Sequence, residues 1–270
     1  MTIAFIGAGN MAGSLIRGLQ AGGYTADDIV AADPAQSQLD ALATLGISTT
    51  VNNAQAVAQA EIVVLAIKPQ ITGDVVQALP ALQPDQLVIS IVAGIDTRSL
   101  GDWLPDRQPI VRCMPNTPAL LGAGITGLYA NSWVTDIQRG EAEAILNGVG
   151  SSVWVSEESQ LDAVTAVSGS GPAYYFLLME SMIESAQALG LDATASRRLV
   201  VETARGAALM ACEPEADPGT LRRNVTSPGG TTEAALKVMR EENLSRIVDR
   251  ALGAAKQRAE ALATEFGSKA

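Results

Sequence analysis

Gly7, Gly9 and Ala12 stand in the spacing Gly-x-Gly-x-x-Ala. They follow the apolar run Ile3-Ala4-Phe5-Ile6 and precede a segment with Leu15, Ile16 and Leu19 at helical spacing. A glycine turn between a strand and a helix suits a dinucleotide. The first glycine permits the tight turn, the second lets a pyrophosphate approach the backbone, and the small third residue allows close helix–strand packing. The free N–H groups and dipole of the helix start add attraction for the phosphates. Asp33 ends a second apolar run, Ile29 to Ala32. A carboxylate there accepts hydrogen bonds from an NAD ribose and repels the 2′-phosphate of NADP. No Arg or Lys in residues 34–38 offsets it, so these residues favour NADH over NADPH. The alternative is that Asp33 only caps the next helix.

Further polar groups lie where other apolar runs stop. Lys68-Pro69 closes the run 61–67, and Met114-Pro115-Asn116-Thr117-Pro118 closes the run 110–114. In an open α/β sheet, ligands bind beyond the carboxyl ends of the strands. Two other segments combine glycine with hydroxyls at a helix start. One is Ser168-Gly169-Ser170-Gly171-Pro172-Ala173-Tyr174, where Ser170 or Gly171 fits the cap and Pro172 the first helical position. The other is Thr226-Ser227-Pro228-Gly229-Gly230-Thr231-Thr232-Glu233, whose hydroxyls and N–H groups would converge on a small polar ligand.

The chain of 270 residues has no histidine. That excludes Ser-His-Asp and Cys-His catalysis in their usual forms, and His-based metal sites. Cys113 and Cys212 are too few for a tetrahedral zinc site and form no disulfide framework, so no metal is expected. A net charge of −11 opposes binding to nucleic-acid backbones and anionic lipid. The longest apolar runs, 62–67 and 87–95, are far below the ~20 residues that span a bilayer. Met1 leads straight into an apolar strand, which predicts no cleavable leader and a cytoplasmic protein.

The elements that must position these groups follow from the punctuation. Continuous apolar runs at 3–6, 29–32, 47–51, 61–67, 87–91 and 110–114 read as buried strands alternating with helical segments. This is the pattern of a parallel sheet covered on both faces. From about residue 160 helical spacing dominates, with Phe176, Leu177, Met179, Met182, Ile183 and Ala186 in one stretch and Leu199, Val200, Ala204, Ala207, Ala208 and Met210 in the next. The expected fold is α/β: a Rossmann-type, doubly wound, mostly parallel sheet over residues 1–159, followed by an all-α domain over 160–270. The helical stretches are apolar on more than one face, which predicts burial by self-association as a dimer or a multiple of dimers.

Residues 5–13, 66–70, 112–118, 162–174 and 225–236 together resemble the pyrroline-5-carboxylate reductase family, and the resemblance extends over essentially the whole chain. It implies a nucleotide-binding domain, a helical dimerisation domain, and hydride transfer from NADPH or NADH to the C=N bond of 1-pyrroline-5-carboxylate, giving L-proline. It further implies that Ile6, Gly7, Ala8, Gly9, Asn10 and Met11 hold the pyrophosphate and that Asp33 lies by the adenine ribose. Asn53, Ala66, Ile67, Lys68 and Pro69 would line the cofactor groove, with Ala93 and Gly94 closing it and Asn116 near the nicotinamide. On the substrate side, Thr232 would meet the ring nitrogen as the catalytic residue, Gly230 and Thr231 would face the carboxylate, and Glu215 would lie near the ring. Many members of the family use NADPH, against which Asp33 argues. The alternatives are a reductase of another cyclic imine and a non-catalytic dinucleotide sensor. A β-hydroxyacid reductase of similar build would need a lysine on the first long helix of the second domain, and residues 172–189 contain none.

Overall fold

The computed structural model describes residues 1–267. The described chain divides into two compact units, one formed by residues 1–170 with 254–267 and the other by residues 171–253.

The first unit is built on one eight-stranded sheet: β1 (Ile3–Ile6), β2 (Ile29–Ala32), β3 (Ser48–Thr50), β4 (Ile62–Leu65), β5 (Leu87–Ser90), β6 (Ile110–Met114), β7 (Gly124–Ala130) and β8 (Gly150–Trp154). The strand order is β3-β2-β1-β4-β5-β6-β7-β8. Strands β1 to β6 pair in parallel, β7 runs antiparallel to β6, and β8 is parallel to β7. In β1 every side chain is buried. Ile3 and Phe5 face one core with Val64 and Ile89, while Ala4 and Ile6 face a second with Val63, Leu65 and Val88. A two-residue period with apolar groups in both phases is what a sheet covered on both faces requires.

Helix α1 (Asn10–Ala21) carries Ala12, Leu15, Ile16 and Leu19 into the first core. It stops at Gly22, followed by Gly23 at φ +100°. The short helices α2 (Gln36–Ala43), α3 (Asn53–Val57), α4 (Thr72–Gln77) and α5 (Thr97–Trp103) follow β2 to β5 in turn, and α6 (Asp136–Asn147) lies between β7 and β8. Helices α1 and α6 meet where two glycines face each other. A Cβ on Gly18 would collide with the Gly148 carbonyl and lie 2.7 Å from Val149 Cγ1.

Residues 160–170 belong with the sheet, not with the helices to which the sequence assigns them. Helix α7 (Gln160–Val164) packs on β6 and β7, Leu161 is buried, and a Cβ on Gly127 would lie 2.6 Å from Val164 Cγ1. A π-turn, Thr165–Gly169, continues α7. The sequence reads this segment as an open glycine loop; it is instead the wide last turn of a helix, closed by Ser170 N–H donating to the Thr165 carbonyl at 2.8 Å. The second unit contains α8 (Gly171–Ala188), α9 (Ala193–Ala211), α10 (Pro218–Asn224), α11 (Thr231–Glu241) and the start of α12 (Leu244–Gly267). The rest of α12 belongs to the first unit, where Phe266 packs against the second core.

Candidate active site

The strand order reverses between β1 and β4, and the carboxyl ends of β1, β2 and β4 converge there. Gly7 N–H donates to the Ala32 carbonyl at 2.8 Å, and Ala66 N–H donates to the Ile6 carbonyl at 2.8 Å. Gly7 has φ +99°, and a Cβ on it would collide with the Ala66 carbonyl oxygen. Only glycine fits there, on both backbone and steric grounds. Gly9 differs. Its φ is −73°, and a Cβ on it would meet nothing within 4 Å. Within this unit nothing occupies the space beside Gly9, so its backbone stays open to the approach of a ligand. Helix α1 begins just after it with no side-chain cap. Its first-turn N–H groups are donors without intrahelical partners, as a phosphate site needs.

Asp33 does more than end a strand. Its Oδ2 accepts a hydrogen bond from Ala8 N–H at 2.9 Å, and its Oδ1 accepts one from Ala35 N–H at 2.8 Å. The carboxylate therefore pins the glycine turn to the end of β2 and shapes the approach to α2. Each oxygen keeps acceptor capacity for a ribose hydroxyl. Asn53 is the first residue of α3, and the cap of that helix is its neighbour Asn52, whose Oδ1 accepts from Ala54 N–H at 2.9 Å. Ala66 and Ile67 are half-buried and Lys68 is exposed at the end of β4. Ala93 is exposed, and Gly94, at φ +75°, lies against the backbone of Leu262 and Ala263 in α12. Asn116 follows β6 and is buried. Its side chain is engaged by the protein: Oδ1 accepts from Ile125 N–H at 3.0 Å and Nδ2 donates to the Ser168 carbonyl at 3.2 Å. The structure thus brings Ile6 to Met11, Asp33, Asn53, Ala66 to Pro69, Ala93, Gly94 and Asn116 to the carboxyl ends of one sheet. A dinucleotide fits this set of groups: an open backbone at Gly9, an uncapped helix start and a fixed carboxylate.

In the second unit, α11 starts at Thr231 behind Gly230, again without a side-chain cap. Gly229 takes φ +72° and its N–H donates to Glu233 Oε2 at 2.8 Å. Gly230 N–H donates to the Ser227 carbonyl at 3.1 Å, closing the turn. Thr231 is exposed and Thr232 half-buried in the first turn of α11. Glu215 is exposed ahead of α10, whose cap is Asp217, accepting from Thr220 N–H at 2.7 Å and from the Thr220 hydroxyl at 2.8 Å.

Residues 158–262 match the family described as pyrroline-5-carboxylate reductase dimerisation, and residues 2–94 match the one described as NADP oxidoreductase coenzyme F420-dependent. The chain is 52% identical over 267 residues to a pyrroline-5-carboxylate reductase of Pseudomonas aeruginosa, covering 98% of both chains. It belongs to the pyrroline-5-carboxylate reductase family. A relative of the same name from Haemophilus influenzae is 43% identical, with 98% of each chain covered. Among solved structures, a pyrroline-5-carboxylate reductase from Coxiella burnetii superposes with a TM-score of 0.93 at 43% identity, covering 97% of this chain and 98% of that one. A Plasmodium falciparum pyrroline carboxylate reductase with NADP bound gives 0.85 at 27% identity, covering 97% and 98%. The Rossmann sheet and helical region expected from sequence agree with these matches, and the dimerisation segment marks the chain as self-associating.

Sequence reasoning passed over one buried network in the sheet unit of this family member. Arg112, in β6, pairs with Glu158 at 3.1 Å. Glu158 Oε1 also accepts from Thr97 N–H at 2.8 Å, and its Oε2 accepts from the Thr97 hydroxyl at 2.6 Å. The signal was a lone arginine inside an apolar strand, which cannot be buried without a partner. Nearby, burial raises the Asp162 carboxyl above its usual range. Arg112 and Lys256 oppose that shift, and Glu260 and Glu158 add to it. Burial also pushes the Cys113 thiol far up, which makes it inert. Among the described residues no group of His, Cys, Asp and Glu could hold a metal ion.

Proposed function

We propose that this chain is an NAD(P)H-dependent pyrroline-5-carboxylate reductase that prefers NADH. The sheet unit would hold the dinucleotide, with the pyrophosphate on the turn Gly7–Gly9 and the start of α1, and the ribose beside Asp33. The observation that carries this reading is the pair Gly7 and Gly9, the first fixed by its own protein and the second open to a ligand. When bound, the cofactor supplies a hydride for the C5 carbon of the cyclic imine, whose reduction gives L-proline.

What the protein supplies is orientation and electrostatics. Holding two reactants in a reactive geometry is worth up to ~7–11 kcal/mol. The Thr232 hydroxyl would hold the ring nitrogen, the N–H groups of Gly230 and Thr231 would receive the carboxylate, and Glu215 would lie near the ring. An imine can be protonated in water before it binds, so a chain without histidine has no need of a strong general acid. Asp33 supports NADH because its carboxylate cannot swing away from a 2′-phosphate without abandoning Ala8 and Ala35 N–H groups. Self-association would be as a dimer or a multiple of dimers, and the location cytoplasmic, which suits the free thiols of Cys113 and Cys212. No helix among the described residues is long and apolar enough to cross a membrane.

The test is loss of reduced-nicotinamide absorbance with 1-pyrroline-5-carboxylate, run with NADH and NADPH, and appearance of L-proline. Absence of turnover with both, by a protein that binds either, would favour another imine or a sensor.

A further inference from the structure

Asn116 is 8% exposed, and its amide bonds to two backbone groups, Ile125 N–H nine residues on and the Ser168 carbonyl 52 residues on. The second partner is the informative one. In a continuing helix the Ser168 carbonyl would accept from the N–H four residues on. That residue is Pro172, which has no N–H. Carbonyls withdrawn from water seldom go without a donor; Ser168 is half-buried, and Asn116 Nδ2 donates to its carbonyl at 3.2 Å. The Ser168 hydroxyl is occupied elsewhere, donating to the Val164 carbonyl at 2.9 Å. Met114, two residues before Asn116, closes the same joint: a Cβ on Gly169 would lie 2.8 Å from Met114 Cε.

We infer that Asn116 is a positioning residue, whose amide stands in for the missing N–H of Pro172 and holds the loop after β6 and the π-turn in one geometry. This rests on reading the carboxyl ends of β1, β4, β5 and β6 as the nicotinamide groove. Asn116 then acts on the rate through the wall of that groove, not as a ligand of the cofactor. Its replacement should lower kcat while leaving dinucleotide affinity in place.

Asn116→Asp separates this role from a merely structural one. At about pH 8 the carboxylate still accepts from Ile125 N–H but turns an acceptor toward the Ser168 carbonyl, which raises its pKa. Once protonated, the acid can donate to that carbonyl. The kcat of the variant should be about tenfold or more below wild type at about pH 8 and recover to within about threefold at about pH 6. Its unfolding midpoint, relative to wild type, should rise over the same interval, because the folded state binds the proton more tightly. NADH affinity by fluorescence titration should stay within about twofold of wild type. Asn116→Ala should show no recovery at any pH, but adding Pro172→Ala should restore part of its activity by returning an N–H to position 172. The double variant also serves if Asn116→Asp does not fold. A kcat ratio that is flat with pH, no coupling between positions 116 and 172, or a loss of NADH affinity at unchanged kcat would overturn the inference. Failure of the groove assignment shows separately, as NADH binding that survives a substitution at Gly9.

Discussion

In the sheet unit Phe5, Leu15, Ile16, Ile62 and Ile89 are out of water in one core, and Ile6, Val63, Leu65 and Val88 in a second on the opposite face of the strands. In the helical unit Tyr175, Phe176 and Leu177 are 67%, 63% and 63% exposed, and Leu189 is 86% exposed. Among the described residues of 171–253, Val200 is the one apolar side chain that is buried. Fully burying a large apolar side chain is worth roughly 1.5–3 kcal/mol. The first unit collects that term from its own chain. The second leaves most of it uncollected, so its helices must be covered by another copy in a self-associating protein. One unit is a self-sufficient scaffold for the proposed dinucleotide site; the other has a structure inseparable from protein concentration.

The contrast can be tested by substitutions on each side. Gly9→Val should leave the sheet unit folded, because the added side chain meets open space, yet lower dinucleotide affinity by about a thousandfold or more by filling the pyrophosphate position. Unchanged affinity by titration would remove the site from this turn. On the other side, Leu177→Asp places a charge on an apolar helix face. It should weaken self-association by about a hundredfold, the scale of removing a central interface anchor, with the mass by light scattering falling at micromolar protein and NADH binding retained. A mass unchanged at all dilutions would mean that this face is not the interface.

Thr232→Ala probes chemistry instead of assembly. Loss of a hydrogen bond to a charged nitrogen is worth ~1.5–3 kcal/mol, so kcat and kcat/KM should fall together about ten- to a hundredfold. Cofactor affinity should hold, and near-normal turnover would reassign the residue. Asp33→Ser should raise the ratio of kcat/KM for NADPH over NADH by about tenfold, equivalent to about 1.4 kcal/mol. Both cofactors should lose some affinity, since Ala8 N–H loses its acceptor. An unchanged ratio would leave Asp33 as a strut for the glycine turn alone.

The smallest effect concerns Asp162. Burial raises its pKa in the folded chain. Its ionised form is therefore disfavoured by folding, and stability falls as pH rises from the ordinary carboxylate value through the raised one. Asp162→Asn should raise the unfolding midpoint at neutral pH. Solvent screening of a partly exposed group keeps the gain to a few tenths of a kcal/mol, about 1–2 °C. The gain should vanish in acid; persistence there would point to packing instead of charge.

The parallel part of the sheet was legible because β1, β2, β4, β5 and β6 are apolar on both faces, apart from Ser90 and Arg112, and end at polar punctuation. Strands β7 and β8 were not. Two glycines interrupt Gly124–Ala130, and β8 is a polar edge strand whose residues alternate between half-buried and exposed. The glycine turn and Asp33 were visible from local spacing alone. The bond of Asn116 to Ser168 spans 52 residues, and the burial of α7 against β6 and β7 depends on contacts that helical periodicity does not encode. The sequence boundary near residue 160 therefore falls one helix and one π-turn before the division in the structure.

The close approach of Gly18 and Gly148 has a mechanical consequence. With no side chain between them, α1 rests backbone to backbone on the end of α6, which leads directly into the edge strand β8. A helix of 12 residues, about 18 Å long, is thus clamped on its flank while its uncapped end lies at the proposed dinucleotide site. Such a beam has little freedom to slide along its axis or rock when an anion arrives. In the proposed binding mode the donors at its tip would keep their aim, and little of the attraction for a phosphate would go into reorganising the protein.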